Sequence, residues 1–214
     1  MIPLLQELRA LLDAYSTPGH ERYAVGETFS SSASQTAAYV GPDRLHAAFD
    51  FEFLGNNRLI PGMDWSARRF SSAITRWEQE LGTDSWPNYV LNNHDQVRSA
   101  TRYRSIFGDA EDDERLKVAA ALLLTLRGTP FLYYGEEIGM RDIPIRSKED
   151  VLDPVGKTFW PLMKGRDGCR APMQWDASSN AGFTPSAARP WLPLHMDYPE
   201  RNVKVQQDDP QSLF

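Results

Sequence analysis

The sequence predicts an α/β protein built on a parallel β-sheet, and two observations support this fold class. Short apolar segments near 23–28, 46–54, 88–94 and 129–134 are typical of strands, and helical patterns separate them. Strands that alternate with helices pair in parallel, with the helices packed against the sheet. Polar residues also follow these strand segments directly, where parallel α/β folds build their functional sites.

Hydrophobic periodicity predicts the intervening helices. Apolar residues recur at helical spacing over 3–15 and over 70–81, and Gly82 is expected to end the second of these helices. A third helix is expected after the acidic run 111–114, because carboxylates favour the positive amino-terminal end of a helix. In the second strand, by contrast, alternation places Phe49, Phe51 and Phe53 on one face.

The periodicity is lost beyond residue 141. The segment 141–205 is rich in Pro, Gly, Asp and Trp, and we interpret it as a long functional loop rather than a second core. Trp160, Trp175 and Trp191 lie in it beside many polar residues. They either stack on sugar rings or anchor the loop by packing, and the sequence leaves both interpretations open.

Composition excludes several classes of protein. The chain has 214 residues and a formal net charge of −6, which is unfavourable for binding nucleic acid and suits a neutral small molecule. No apolar run approaches the ~18 residues of a membrane helix. Residues 1–16 carry Glu7, Arg9 and Asp13 within their apolar stretch, which indicates an amphipathic helix rather than a signal peptide. Cys169 is the single cysteine, so no intrachain disulfide forms.

Glu27 is the first candidate for catalysis. It follows Gly26 at the end of an apolar strand, where we expect its carboxyl group to be partly desolvated. Desolvation raises the pKa of a carboxylic acid, which suits a general acid. The local sequence alone favours the simpler alternative, a glutamate in an ordinary loop between strand and helix.

A second candidate site is the run Asn92-Asn93-His94-Asp95. These four hydrogen-bonding side chains follow another strand, and a helix cap accounts for only one of them. No second histidine stands at ligand spacing from His94, so no metal site is expected. Nucleotide-binding motifs are also missing from the sequence, and we expect no cofactor.

Four motifs, taken in order, point to a known family. Val25-Gly26-Glu27 ends one strand, and the run 92–96 (NNHDQ) followed by Arg98 ends another. The motif RGTPFLYYGEEIGM begins at residue 127, and GRDGCRAPMQWD begins at residue 165. Together these motifs resemble glycoside hydrolase family 13, the α-amylase family. Within it they are most similar to the α-glucosidase and oligo-1,6-glucosidase branch.

The resemblance implies a (β/α)8 barrel. The chain is then expected to form one partial catalytic domain over 1–214, the carboxyl-terminal half of the barrel with strands five to eight and a long loop after the last strand. It would begin in the helix after strand four, and 206–214 would open a truncated last helix. On this resemblance, the family's carboxyl-terminal β-domain is not expected within residues 1–214.

The same resemblance implies hydrolysis of α-glucosidic bonds in oligosaccharides by a retaining mechanism. Glu27 would be the general acid and base, and Asp95 the second carboxylate, which holds sugar hydroxyls and stabilises the transition state. The implied contacts with the gluco-oligosaccharide substrate are His94, Asn93, Arg98 and Arg170.

The family's nucleophile is an aspartate in a G-F-R-x-D motif, and this sequence has no such motif. We considered Asp50, Asp64 and Asp142 as replacements for this nucleophile. The residues around each of them do not match the motif. We therefore expect little or no turnover from the chain alone. Two alternatives remain: a transglycosylase or isomerase of the sucrose isomerase or trehalose synthase type, and a non-catalytic sugar-binding remnant.

Four strands also leave two sheet edges unpaired. We therefore expect association with a separately encoded amino-terminal half, self-association, or poor stability of the chain. The sequence does not fix the location of the protein, although it favours the cytoplasm.

Overall fold

A computed structural model describes residues 1–28, 32–54, 65–104 and 112–214. Four short strands form one parallel sheet in chain order: β1 (Val25–Gly26), β2 (Ala47–Asp50), β3 (Asn88–Val90) and β4 (Thr129–Phe131). The α-helices of the described residues are α1 (Ile2–Ala14), α2 (Ala33–Ala37), α3 (Ala67–Leu81), α4 (Ser99–Arg102), α5 (Asp112–Thr125), α6 (Pro154–Phe159) and α7 (Val203–Gln206). The predicted α/β class and parallel sheet are therefore confirmed.

The chain divides into two compact units. The first comprises Met1–Phe53, Ser66–Val90 and Leu123–Phe131, and it contains all four strands. The second comprises Leu54–Trp65, Leu91–Leu122 and Leu132–Phe214.

In the first unit, the register of the sheet separates two faces. Phe49 pairs with Asn88, and Asp50 pairs with Tyr89, so each pair of side chains lies on one face. Tyr89 donates a hydrogen bond to Glu78 of α3 at 3.2 Å, and its ring stacks on Phe53. The face that carries Asp50 and Tyr89 is therefore the face that α3 covers.

Helix α3 matches its prediction from sequence. Trp77 and Leu81 are buried on its inner side, and Phe70 meets Phe53 edge to face at 5.2 Å. Gly82 ends the helix with φ at 68°, a conformation that glycine adopts without strain.

The strand expected over 46–54 is only partly correct. Extended structure ends at Asp50, and a 3₁₀ turn follows over Glu52–Leu54. The Asp50 side chain caps this turn by accepting the Glu52 N–H at 2.8 Å, so the chain cannot continue as a strand. Phe49 and Phe53 therefore do not share a strand face.

The second unit corrects the interpretation of 141–205 as a loop without a core. Buried side chains from distant positions pack together: Ile138, Met140, Ile143, Ile145, Val151, Ala171, Met173 and Leu192. Helix α6 and two 3₁₀ turns interrupt the segment. The core escapes periodicity because its members are irregularly spaced along the chain.

The helix expected over 206–214 is also corrected. The helical turn is α7, Val203–Gln206, and only turns follow it. Asn202 caps α7 by accepting the Val205 N–H at 2.9 Å. Gln206 is buried and donates to the carbonyl of Ile138 at 2.9 Å, which ties the end of this turn to the core.

Candidate active site

The run 92–95 leaves β3 and enters the second unit, where Asn92 has a structural role. It is 3% exposed, and its side-chain oxygen accepts the Ser99 N–H. Its amide group donates to the Ser99 hydroxyl at 3.0 Å. Asn92 thus holds the start of α4 from outside the helix. The N-cap residue of α4 is Arg98, so Asn92 does not take the N-cap position that the sequence allowed for one of the four residues.

Asn93, His94 and Asp95 form a tight turn. The Asn93 side-chain oxygen accepts the Asp95 N–H at 3.0 Å, a local bond typical of asparagine in turns. His94 is exposed, and its Nε2 lies 3.5 Å from a carboxylate oxygen of Asp95. The structure therefore brings three of the predicted site residues together, with the imidazole open to solvent beside the carboxylate.

Two arginines hold the Asp95 carboxylate. Arg170 donates from Nη2 at 2.8 Å, and Arg166 donates from Nη1 at 3.1 Å. Arg170 also donates from Nε to the His94 carbonyl at 2.8 Å, so one guanidinium group fixes both neighbours. Charge-assisted bonds of this kind are short and strong, and they fix the orientation of the carboxylate.

Arg166 is in turn held by Asp153, which caps α6. The Asp153 carboxylate accepts from Arg166 Nε at 2.8 Å, from Nη2 at 3.0 Å and from its backbone N–H at 2.7 Å. These bonds from Arg166 hold the pKa of Asp153 well below its usual range. The Arg166 guanidinium group therefore bridges the carboxylates of Asp153 and Asp95.

Arg166 and Asp153 are site residues that sequence reasoning missed. Arg166 stands in the motif beginning at Gly165, four residues before Arg170, and this spacing was a usable signal. The signal for Asp153 was its place before Pro154, since an aspartate that precedes a proline is typical of a helix start. Their pairing across 13 positions had no local signal.

Glu136 is a third residue without a predicted role. Burial raises its pKa to about 7, against hydrogen bonds from Asn92 and from the Tyr133 N–H, which act in the opposite direction. Its carboxyl group can therefore hold or release a proton near neutral pH.

Arg98 does not take the expected place among the substrate contacts. It is 1% exposed, and it donates from Nη1 to the carbonyl of Tyr134 at 2.7 Å. Its guanidinium group lies over the rings of Tyr133 and Tyr134, with 4.8 and 4.7 Å to the centroids. Because the side chain is enclosed by aromatic groups, it has no accessible surface for a sugar.

Glu27 belongs to the first unit and lies immediately after β1. It is exposed, so the desolvation expected for its carboxyl group is not found. The strand ends at Gly26, where a Cβ would lie 2.5 Å from the end of the Leu45 side chain, so that side chain would have to move to admit a larger residue.

Two of the three carboxylates considered as replacement nucleophiles are already engaged in other hydrogen bonds. Asp50 is buried, which raises its pKa to about 7, and it already caps a turn. Asp142 accepts the Arg98 N–H at 2.8 Å, and burial raises its pKa too. Asp64 lies outside the described residues.

Neither a cluster of metal ligands nor a membrane-spanning helix is found in the described residues. Over 1–28, 32–54, 65–104 and 112–214, no three His, Cys, Asp or Glu side chains are grouped as metal ligands. Across the same ranges, each helix is too short or too polar to cross a bilayer.

Similarity to known proteins extends over the whole chain. A family profile described as "Alpha amylase, catalytic domain" matches residues 2–214. A probable alpha-glucosidase of Rhizobium meliloti is 35% identical over all of this chain and 36% of its own length. An oligo-1,6-glucosidase of Parageobacillus thermoglucosidasius is 37% identical over 98% of this chain and 40% of its own length. The chain thus spans about two fifths of these relatives.

Not every similar protein is named as a glucosidase. The human amino acid transporter heavy chain SLC3A1 is 34% identical over all of this chain and 28% of its own length. An alpha-glucosyl transfer enzyme, XgtA, has a crystal structure that superposes with a TM-score of 0.84 over 99% of this chain and 36% of its own. Its sequence is 38% identical to this chain. The trehalulose synthase MutB from Pseudomonas mesoacidophila is 27% identical, with a TM-score of 0.79 over 99% of this chain and 41% of its own.

Proposed function

The chain belongs to the α-amylase family, glycoside hydrolase family 13, and from this premise we propose that it supplies part of a site that cleaves α-glucosidic bonds in oligosaccharides. The proposed part is the carboxyl-terminal half of the barrel, strands five to eight, as β1 to β4. Glu27 is the general acid and base, and Asp95 is the stabilising carboxylate.

The observation that carries this proposal is the fixed geometry of Asp95. A carboxylate held by Arg166 and Arg170 is preorganised, so it does not have to reorient as positive charge develops on the sugar. The exposed imidazole of His94 is a hydrogen-bond donor to a sugar hydroxyl beside the same carboxylate.

The exposure of Glu27 fits a general acid that a substrate reaches from solvent. In this proposal Glu27 protonates the oxygen of the leaving group and later takes a proton from the attacking water. The nucleophilic carboxylate is supplied from outside this sequence, because no G-F-R-x-D motif occurs in it. We therefore propose that the isolated chain has little or no turnover.

The proposed substrate rests on the relatives, and the proposed partner rests on the edges of the sheet. We propose an α-linked gluco-oligosaccharide as substrate, on the strength of the glucosidase relatives. In the sheet that the described residues form, β1 and β4 each pair on one side only. An amino-terminal half of the barrel, encoded separately or in the same chain, is the proposed partner of these edges, and self-association is the alternative.

The test is a chimera in which this chain replaces its matching segment in the Parageobacillus thermoglucosidasius enzyme. We expect the chimera to hydrolyse both maltose and 4-nitrophenyl α-glucoside. Glu27→Gln should lower maltose hydrolysis by about 10³-fold. The aryl glucoside should lose less, because nitrophenolate leaves without a proton, and Asp95→Asn should lower both reactions.

Glu21→Gln is the matched control, since Glu21 is an exposed glutamate of the same unit. It should leave both rates unchanged. A folded chimera without activity would contradict the proposal and favour the non-catalytic alternative, to which the similarity with a transporter heavy chain lends weight. Turnover by the isolated chain that Glu27→Gln abolishes would overturn the proposed inactivity.

Glucosyl transfer is the second candidate function, and the likeness to an alpha-glucosyl transfer enzyme favours it. The same acid and stabilising carboxylate serve transfer to a sugar hydroxyl instead of to water. Product analysis of the chimera on maltose and on sucrose separates the two functions. Glucose alone supports hydrolysis, whereas longer or isomerised sugars support transfer.

A further inference from the structure

The turn over 93–95 is closed at its base by a buried side chain of α4. Arg102 donates from Nη2 to the carbonyl of Leu91 at 2.7 Å and from Nη1 to the carbonyl of Val97 at 2.6 Å. These two carbonyls stand at the two ends of the loop 91–97, which contains the turn. One guanidinium group therefore joins the residue that enters the loop to the residue that leaves it.

We propose that Arg102 is a positioning residue of the candidate active site, which holds His94 and Asp95 in place by closing this loop. The inference deepens the proposed function and rests on it, because the position of Asp95 matters to catalysis only if its carboxylate stabilises a transition state. Arg166 and Arg170 already orient the Asp95 side chain. Arg102 fixes the backbone to which that side chain is attached.

Arg102 acts through the loop and not on a substrate, because it is 6% exposed. Its guanidinium group lies 4.6 Å from the centroid of the Tyr103 ring, and Nη2 also donates to the Tyr103 hydroxyl at 3.1 Å. Tyr103 is itself 1% exposed. The group that bridges the loop is therefore enclosed by buried protein atoms rather than open to a ligand.

Helix α4 is held to the core of the second unit, so Arg102 has a fixed base. The Asp142 carboxylate accepts the Arg98 N–H at 2.8 Å, and the Asp142 N–H donates to the Thr101 hydroxyl at 2.8 Å. Asp142 directly precedes Ile143, which is part of the buried core of this unit. The loop is therefore tied to that core through α4.

A buried guanidinium group needs an opposite charge nearby, and Glu136 supplies it. The charges of Arg102 and Arg98 favour the ionised carboxylate of Glu136 and oppose the rise that burial causes in its pKa. Asn92, within the 91–97 loop, is hydrogen-bonded to the same carboxyl group. Glu136 thus interacts with both the bridging arginine and the loop that this arginine closes.

The bridge requires the shape of a guanidinium group and not only its charge. The nitrogens of arginine lie in one plane and donate in fixed directions, so Nη1 and Nη2 reach two separate carbonyls. The ammonium group of lysine is a compact point charge. Arg102→Lys therefore keeps the positive charge beside Glu136 and loses the bridge, which separates the two contributions.

The first measurement is hydrogen exchange in the full chain, followed by NMR, which needs no activity. Arg102→Lys should speed exchange of the Asp95 amide, which donates to the Asn93 side chain, by about tenfold, because the loop opens when its ends are released. Arg201→Lys is the matched control, since Arg201 also donates to a backbone carbonyl, that of Ile138, within the second unit. It should leave this exchange rate unchanged.

The second measurement uses the chimera described above. Arg102→Lys should lower kcat on maltose about tenfold and change KM by less than about twofold, because a displaced Asp95 stabilises the transition state less while substrate binding is kept. Arg201→Lys should leave kcat unchanged. If Arg102→Lys does not fold, Thr101→Val takes its place. It removes the hydroxyl that accepts the Asp142 N–H, so it loosens α4 and should change kcat and the exchange rate in the same directions.

Three results would overturn the inference. One is an exchange rate at Asp95 that the substitution leaves unchanged. Another is an active chimera in which Arg102→Lys loses no more kcat than Arg201→Lys. The third is a rise in KM with kcat unchanged, which would make Arg102 a determinant of substrate binding. Failure of the proposed function is distinct from these, since the unsubstituted chimera would then be inactive while the exchange measurement still decides whether Arg102 closes the loop.

Discussion

The two units of this chain are stabilised in different ways. The first has the regular elements, a parallel sheet with α3 packed on one face, yet its helix α1 has no buried residue. The second unit contains helices but no strand of the described residues, and it has a buried core around Ile138 and a network of ion pairs around Arg166. Both units therefore bury apolar side chains, but the first does so around a sheet and the second around irregular segments.

This difference shows how the carboxylate of Asp95, for which we propose a catalytic role, is held in one orientation. Asp95 lies in the irregular unit, and its orientation depends on side chains that are 71 and 75 positions away in sequence. The orientation of Asp95 is maintained only if the segment that carries the two arginines is itself packed against a core. Buried side chains of the segment 141–205 belong to the core around Ile138 and hold it in place.

The largest expected effect tests whether the irregular unit has a true core. Ile138→Ala removes a side chain that is 0% exposed, and we expect a loss of about 3 kcal/mol in the free energy of unfolding. Leu81→Ala, in α3 of the first unit, should cost a similar amount. Denaturant unfolding monitored by circular dichroism measures both.

The control for this pair is Leu162→Ala, because Leu162 is 93% exposed and its truncation should change stability by less than about 0.5 kcal/mol. If Ile138→Ala costs no more than this control, the second unit lacks the core described here and the comparison between the units fails.

The next effect concerns the bridge that Arg166 forms between Asp153 and Asp95. Asp153→Ala removes the acceptor of three hydrogen bonds from Arg166. It also removes the cap of α6, in which Asp153 accepts the Val155 N–H. We expect a loss of about 2 kcal/mol in the free energy of unfolding, since hydrogen bonds to charged groups contribute about 1.5–3 kcal/mol each and water replaces part of them. Thermal or denaturant unfolding at pH 7 measures this.

Asp150→Ala is the matched control for Asp153→Ala, because Asp150 is exposed and accepts only from the Ser147 hydroxyl. The advantage of the unchanged chain over Asp153→Ala should shrink as pH falls below about 4. The pKa of Asp153 is lowered in the folded state, so its contribution is full above the unfolded pKa and is lost on acidification. An effect independent of pH would contradict the role of the ion pair.

Sequence reasoning predicted the elements that are local in sequence. Helix α3 and its end at Gly82 depend on neighbours within a few positions. The run 92–95 was recognised only as a cluster of polar side chains, without its turn. Sequence reasoning did not find the bond between Asp153 and Arg166 or the burial of Arg98. Both depend on which distant segments meet, and charge alone assigns an arginine to the surface.

A smaller effect compares the buried carboxyl groups of the two units. Burial raises the pKa of Asp50 in the first unit and of Glu136 in the second, each to about 7. The folded state then binds more protons than the unfolded state between about pH 4.5 and 7, so stability falls as pH rises through this range. Asp50→Asn and Glu136→Gln should each lower this slope by up to about 1.4 kcal/mol per pH unit, as measured by unfolding at several pH values.

Glu7→Gln is the comparison for this measurement, because Glu7 is an exposed glutamate of α1. It should leave the slope between pH 4.5 and 7 unchanged. A slope that neither Asp50→Asn nor Glu136→Gln alters would show that these carboxyl groups titrate as ordinary exposed groups.

The smallest expected effect tests the other side of the comparison, the regular helix without burial. Leu11 of α1 is 55% exposed, and Leu4 and Leu8 on the same side of the helix are also exposed. Leu11→Ala should change the free energy of unfolding by less than about 0.5 kcal/mol, because alanine favours helix formation and little apolar surface is uncovered. A cost near that of Leu81→Ala, measured at low protein concentration, would contradict the exposure of α1. A cost that appears only at high concentration would indicate that this leucine face is covered by a second copy of the chain, which would favour self-association over a separate amino-terminal half.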